Sequence, residues 1–194
     1  MGLTKTKIDW CDFSWNPVWG CLNDCDFCYA RKIAKRFGES IYKKEVKFRK
    51  KENEDILRKL KDFKPVFLFS QLNREFPSKP SRIFVNSMSD IAFWKIEWME
   101  KVLKRIEKHN EKFKIKNLRF ISFEPLLFNE VLEKGFSLNV EWIIIGAQTN
   151  PVKPPKKEWV ERLILKAKND KIPVFTKENL DKIYPELSLK EFPE

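Results

Sequence analysis

The chain has 194 residues, 42% of them hydrophobic and 14% aromatic, with five glycines and a formal charge of +11. That length supports one domain over residues 1–194 with a sizeable core, and the composition excludes a disordered chain. No stretch approaches the ~20 apolar residues of a membrane span and residues 1–7 carry no apolar signal core, so the expected compartment is the cytoplasm, where thiols stay reduced.

Trp10, Phe13, Trp15 and Trp19 crowd the first twenty residues and are expected to pack around a cysteine-rich loop at 21–28 and shield it from water. Asn16-Pro17 marks a turn, and Val18-Trp19 is expected as the first strand of the sheet. Cys21, Cys25 and Cys28 then fall within eight residues, three of the four cysteines in the chain. A C-x3-C-x2-C loop brings three thiols to one point without long-range folding, and an odd number does not suit a disulfide framework. Soft thiolates select zinc or iron–sulfur centres. A structural zinc site closes with four ligands, which here requires Cys11, because the only histidine, His109, is remote in sequence. An iron–sulfur cubane held by three thiolates leaves one iron open, and a reactive or incidental cysteine group is the third reading. Asp12, Asp24 and Asp26 read as loop and turn residues.

After the loop, 29–37 reads as a helix ended by Gly38, and 52–62 as a second helix with Ile56, Leu57 and Leu60 at helical spacing. Residues 66–69 read as a strand, followed by a surface excursion at Pro77 and Pro80. The run 82–86 reads as a buried strand opening into Ser87-Met88-Ser89-Asp90, short polar residues of the kind found on the ligand-facing rim of a parallel sheet. A helix is expected over 96–109, with Met99, Val102, Leu103 and Ile106 inward and His109 as a capping or surface residue. Strands at 118–123 and 140–145 end in Glu124-Pro125 and Gly146-Ala147-Gln148. A helix over 155–170 presents Trp159, Val160, Leu163, Ile164 and Ala167 on one face, and a last strand, 172–175, delivers Thr176-Lys177. This alternation argues for a parallel sheet with right-handed crossovers.

Charge is unevenly placed. Between Arg31 and Lys64 there are fourteen Lys and Arg against six Asp and Glu. Such a segment attracts phosphates by releasing their counterions, which points to a nucleic acid or nucleotide as partner; a solvated, lysine-rich surface is the plain alternative.

Cys21-x3-Cys25-Asp26-Phe27-Cys28, with an aromatic before the last cysteine, resembles the signature of the radical SAM superfamily. Trp15-Asn16-Pro17-Val18, Cys28-Tyr29-Ala30, the 84–90 and 123–127 segments and Trp142 to Gly146 are similar to its uncharacterised, phage-associated three-Cys-motif branch. The resemblance implies an α/β fold of the partial (β/α) barrel type. It also implies a [4Fe–4S] cluster on Cys21, Cys25 and Cys28, and S-adenosylmethionine chelated at the open iron and cleaved to a 5′-deoxyadenosyl radical. Cofactor contacts are implied at Phe27, Asn86, Ser87, Ser89 and Asp90, with Glu124, Gln148 and Lys177 toward the cofactor or the substrate, and a reductant protein as partner. The branch carries more strand units than the 109–117 segment can hold, so either the barrel is trimmed there or a segment is missing from the sequence. A zinc-stabilised nucleic-acid-binding module on Cys11, Cys21, Cys25 and Cys28 is the alternative, and a catalytically inactive relative the third.

Overall fold

The computed structural model describes residues 2–113, 118–124, 126, 140–149 and 151–193. The chain divides into two compact units, Met1–Ile115 and Lys116–Glu194. Part of the 109–117 segment, residues 114–117, lies outside the described residues, as do Pro125 and Leu127 of the 123–127 motif.

The first unit runs β1 (Thr4–Lys5), β2 (Phe13–Trp15), β3 (Val18–Trp19), α1 (Tyr29–Arg49), α2 (Glu54–Lys61), β4 (Val66–Phe67), α3 (Phe69–Leu72), β5 (Ile83–Val85), a 3-10 turn at Ile91–Phe93, and α4 (Ile96–Phe113). β2 lies antiparallel to β1 and parallel to β5, with Phe13 opposite Ile83 and Trp15 opposite Val85. Val18-Trp19 is a strand, but not the first one. The Asn16-Pro17 turn separates it from β2 and hands it to β4, with which it pairs antiparallel.

Helix α1 does not end at Gly38. A glycine inside a helix costs only about 1 kcal/mol, and beyond it Ile41, Tyr42 and Glu45 continue the inward face, so the helix runs to Arg49 and stops at left-handed Lys50. Gly38 is buried against Leu60 of α2, where a Cβ would sit 3.7 Å from the Leu60 Cβ. Asn53 caps α2 by accepting a hydrogen bond from the Ile56 amide.

Glu45, 1% exposed, accepts hydrogen bonds from the backbone amides of Phe69 (2.9 Å) and Ser70 (2.8 Å) and from Arg49 Nε (2.6 Å). A buried carboxylate is tolerated only with its lone pairs occupied, and here they tie α1 to the start of α3.

In α4 the inward face centres on buried Val102, with Trp98 and Ile106 one turn to either side and Trp98 stacked on Phe67 at 5.8 Å. Leu103, expected inward, is 48% exposed because it stands about 100° further round the helix. His109 lies inside α4, four residues before its last, and, half-buried, meets the ring of Phe76 edge-on at 4.7 Å. The tryptophans also divide. Trp15 is fully buried among Leu3, Val18, Phe67, Trp94 and Val102, Trp10 lies against Phe84, and of the early aromatics only Trp19 belongs to the cluster that Cys21 and Cys28 touch.

The second unit holds β6 (Phe120–Phe123), β7 (Trp142–Ile145), β8 (Gln148–Thr149), β9 (Val152–Lys153), α5 (Lys157–Asn169), β10 (Val174–Thr176), α6 (Glu178–Asp181) and a 3-10 turn at Pro185–Leu187. β7 lies between β6 and β10, parallel to both, with Ile143 opposite Ile121 and Val174. Ile143, Ile144 and Ile145 are 0% exposed, each burial being worth about 2–3 kcal/mol. Val160, Leu163, Ile164 and Ala167 of α5 complete this core, so β7, α5 and β10 form the expected parallel crossover. The described sheets have two or three strands and none of them closes on itself.

Glu45→Ala leaves two amides without acceptors and is expected to lower stability by about 3 kcal/mol, against under about 0.5 kcal/mol for Glu39→Ala on the exposed side of α1; urea denaturation of both measures the difference. Asp12 bridges the entrances of β2 and β5, accepting from the Arg82 amide at 2.8 Å and lying 3.5 Å from its guanidinium. The Arg82 amide, helped by its guanidinium and opposed by desolvation, holds the Asp12 carboxyl below its ordinary value. Its contribution is therefore present above the unfolded-state pKa and is lost as pH falls through the lower folded one. Asp12→Asn is expected to flatten the acid limb of the stability–pH curve, measured as denaturation midpoints from pH 2 to pH 7.

Candidate metal centre

Because β2 and β5 are parallel, both leave the sheet at one end, and the residues after them meet there. Asn16 follows β2; its amide donates to Ser87 Oγ (3.0 Å), and its carbonyl oxygen accepts from that hydroxyl (3.1 Å) and from the Met88 amide (3.1 Å). Asn86 takes φ 77 at the exit of β5, a left-handed conformation asparagine tolerates better than most residues, and its side chain accepts from the Ser89 hydroxyl.

The three-cysteine loop is hung from this rim. Gly20 has φ +95, and a Cβ there would lie 2.2 Å from the Lys64 carbonyl oxygen, so no side chain fits. Its amide donates to Met88 O (3.0 Å) and the Cys21 amide to Phe63 O (2.9 Å), pinning the start of the loop between β5 and the end of α2. The far end is closed by sulfur: Cys28 is the N-cap of α1, its Sγ accepting from the Arg31 amide at 3.4 Å. Between these anchors, Asn23 donates to Asp90 Oδ2 (3.2 Å) and its amide points at Cys21 Sγ (3.4 Å), while the Cys28 amide donates to Cys25 O (3.1 Å). The Arg31 guanidinium reaches back to Asn23 O (2.9 Å) and Asp24 Oδ1 (3.0 Å).

Cys21, Cys25 and Cys28 are free thiols, all half-buried. Burial pushes the Cys25 thiol up, and neighbouring Cys28 and Cys21 push it further, against the opposing pull of Arg31. The sulfurs thus share one electrostatic neighbourhood. Among the described residues, however, no three His, Cys, Asp or Glu side chains form a group that could hold a metal ion as they stand. Cys11 is buried at the entrance of β2, whereas the loop follows its exit; the three residues of the intervening strand span about 10 Å at 3.3 Å per residue.

The other expected residues separate into two groups. Ser87, Ser89 and Asp90 lie with Asn86 on the loop's rim, where Ser89 accepts from the Trp94 indole (3.0 Å) and Asp90 also caps the 3-10 turn through the Ala92 amide (3.0 Å). Phe27 is half-buried in the loop itself. Glu124, Gln148 and Lys177 belong to the second unit. There Lys177 Nζ donates to both oxygens of Glu124 (2.6 and 2.7 Å) beyond the ends of β6 and β10, closing over Gly146, where a Cβ would meet each side chain at 3.1 Å. Gln148 is buried and donates to Pro151 O at 2.9 Å.

Asn16, Asn23, Tyr29 and Arg31 do as much to shape the loop, and sequence alone does not single them out for it. Tyr29 donates to Ser87 O at 2.7 Å. Asn16 carried a signal in its place before a proline and Tyr29 in the Cys28-Tyr29-Ala30 motif, and neither signal marks the hydrogen bonds.

Fold and site together define a mixed α/β protein with a three-thiol loop at the outlet of a parallel strand pair. The chain belongs to the family described as a protein of unknown function, DUF5131, whose model matches residues 5–116, more than half of its length and the whole of the loop and rim. No curated protein and no solved structure matches it.

Asn16→Ala removes a donor and an acceptor that hold Ser87 and Met88, and is expected to cost about 1–3 kcal/mol. Equilibrium denaturation measures this; a change below about 0.5 kcal/mol, the range of ordinary surface substitutions, means the rim does not depend on it.

Proposed function

We propose that this protein is an iron–sulfur enzyme of the radical SAM type, with Cys21, Cys25 and Cys28 as the protein ligands of a [4Fe–4S] cluster. The observation that carries this reading is the donor set: three free, half-buried thiols in one anchored loop, with the fourth cysteine at the far end of a strand. Three thiolates satisfy three irons and leave one for a small molecule, which is the chemistry of an open-iron cluster and not of a closed zinc site. When bound, such a cluster supplies the electron that splits a C–S bond of S-adenosylmethionine, giving a 5′-deoxyadenosyl radical that takes hydrogen from a substrate. Metal loading would be coupled to the folding of this loop, in the way that metal sites couple to local folding.

The chain's own residues supply position and charge. Gly20 and the Cys28 cap fix where the loop starts and ends, and Asn23 and Arg31 span its middle. The positive end of α1 and the Arg31 guanidinium offset the negative charge of three thiolates. Asn86, Ser87, Ser89 and Asp90 are assigned to the cofactor's polar end, with Asp90 as the group whose charge suits its ammonium and Phe27 as the apolar wall inside the loop. Each unit contains parallel strand pairing, β2 with β5 in the first and β7 with β6 and β10 in the second; the partial (β/α) barrel belongs to this proposal.

Anaerobic reconstitution with iron and sulfide is expected to give a brown protein with about four irons per chain, and dithionite plus S-adenosylmethionine to release 5′-deoxyadenosine. Serine at any of the three loop positions is expected to abolish cluster loading. Serine is a good helix cap, so Cys28→Ser keeps the fold and isolates the loss of the ligand. Cys11→Ser is expected to retain the cluster; a colourless protein with stoichiometric zinc that Cys11→Ser removes would overturn the reading.

A further inference from the structure

Helix α1 leaves the cysteine loop directly and carries eight Lys and Arg against two Glu. Arg31, Lys43 and Arg49 are taken up by Asp24, Glu39 and Glu45. The other five, Lys32, Lys35, Arg36, Lys44 and Lys47, are exposed and have no acidic partner among the described residues; Lys35 lies about 60° beyond Lys32 around the helix, apart from Lys32, Arg36, Lys44 and Lys47. At 100° per residue these four fall within about 120° of the helix circumference, on its outer side. A solvated lysine face would look like this if nothing else stood on it.

Something else does. Tyr29, Ile33 and Phe37 recur at every fourth residue along the same side and are 55%, 37% and 45% exposed. The Arg36 guanidinium lies 5.0 Å from the centre of the Phe37 ring. Outward aromatic side chains raise the free energy of a free helix surface and have a use when a flat π-face is to be stacked on them. The first of them, Tyr29, is held at the rim of the thiol loop by its bond to Ser87 O. From there to Lys47 the helix rises about 27 Å.

We infer that the outer face of α1 is a binding track for single-stranded nucleic acid, with Lys32, Arg36, Lys44 and Lys47 on its phosphates and Tyr29 and Phe37 as stacking platforms for its bases. Cations alone would accept a duplex equally well, since a duplex also presents phosphates. Bases are open to aromatic rings only in a single strand, which is why the exposed rings decide between the two. The track ends at Tyr29, so a bound strand has one end beside Cys28. The inference rests on this helix face and not on the iron–sulfur reading.

The test is fluorescence anisotropy on the metal-free full chain, so that a failed cluster reconstitution leaves its result intact. The probes are labelled oligothymidylate and oligouridylate of about 15 nucleotides, a duplex of equal length, and polyglutamate as a competitor. Both single strands are expected to bind more tightly than the duplex. With four phosphates neutralised, affinity is expected to fall about 50-fold between about 50 and 200 mM salt. The double substitution K32A/R36A is expected to reduce the salt slope by about one to two. Phe37→Ala, at an exposed position, is expected to weaken single-strand binding about 5-fold or more without changing that slope, with circular dichroism confirming the helix. The inference is overturned by absence of binding at low salt, by binding indifferent to K32A/R36A, by equal affinity for the duplex together with an inert Phe37→Ala, or by displacement with polyglutamate at matched charge.

Discussion

Gly20 has no space for a side chain, and the local architecture of the first unit depends on that close approach. Its α-carbon sits against the carbonyls of Phe63 and Lys64, and its amide is spent on Met88. The chain can therefore turn out of β3 into the cysteine loop only while touching both the end of α2 and the exit of β5. A left-handed φ at a point of backbone contact is a constraint that glycine alone meets, and here it sets the position from which three thiols hang. The parallel pairing of β2 with β5 supplies the other half, because it delivers Asn16 and Ser87 to one end of the sheet, where they lock together.

The loop is held by polar contacts more than by burial. Its sulfurs are half-buried, its residues 22–24 and 26 are exposed, and its shape is kept by Asn23, Arg31 and the Cys28 cap. Individually such hydrogen bonds contribute about 1 kcal/mol, far less than the buried isoleucines of β7. A region restrained this lightly belongs to the low-stability end of a protein, where parts that must rearrange around a ligand are found. Glu45 is the opposite case: there a charge is fully desolvated and every lone pair matters, so rigidity is concentrated on the opposite side of α1 from its solvent-facing cations.

Dense apolar periodicity makes much of the scaffold legible in the sequence. α5 and its four buried positions, α2 with Ile56 and Leu60, and β7 as a strand follow from spacing, whereas the run at 82–86, expected as the buried strand, is half-buried in β5. The failures fall where one residue has competing uses. Gly38 reads as a stop but serves as a contact surface for Leu60, since tertiary packing outweighs a propensity penalty of about 1 kcal/mol. Periodicity places Leu103 on the inner face of α4, and the position of Phe67, remote in sequence, chooses Trp98 instead. The cysteine loop is legible as chemistry from three closely spaced letters. Its supporting residues are not, because the bonds of Asn16 and Asn23 join positions 67 to 72 residues apart, and separations of that kind leave no periodic trace. The same holds for Cys11, near the loop in number and at the other end of a strand in space.

One consequence of the Cys28 cap reaches beyond the loop. Helices usually begin on an oxygen, whereas the 21 residues of α1 begin on sulfur. The electronic state of that one atom and the integrity of the helix's first turn are therefore coupled. Sulfur is a larger and weaker acceptor than the oxygen of serine or aspartate, so the first turn of α1 is closed by a contact of 3.4 Å, longer than an oxygen cap would give.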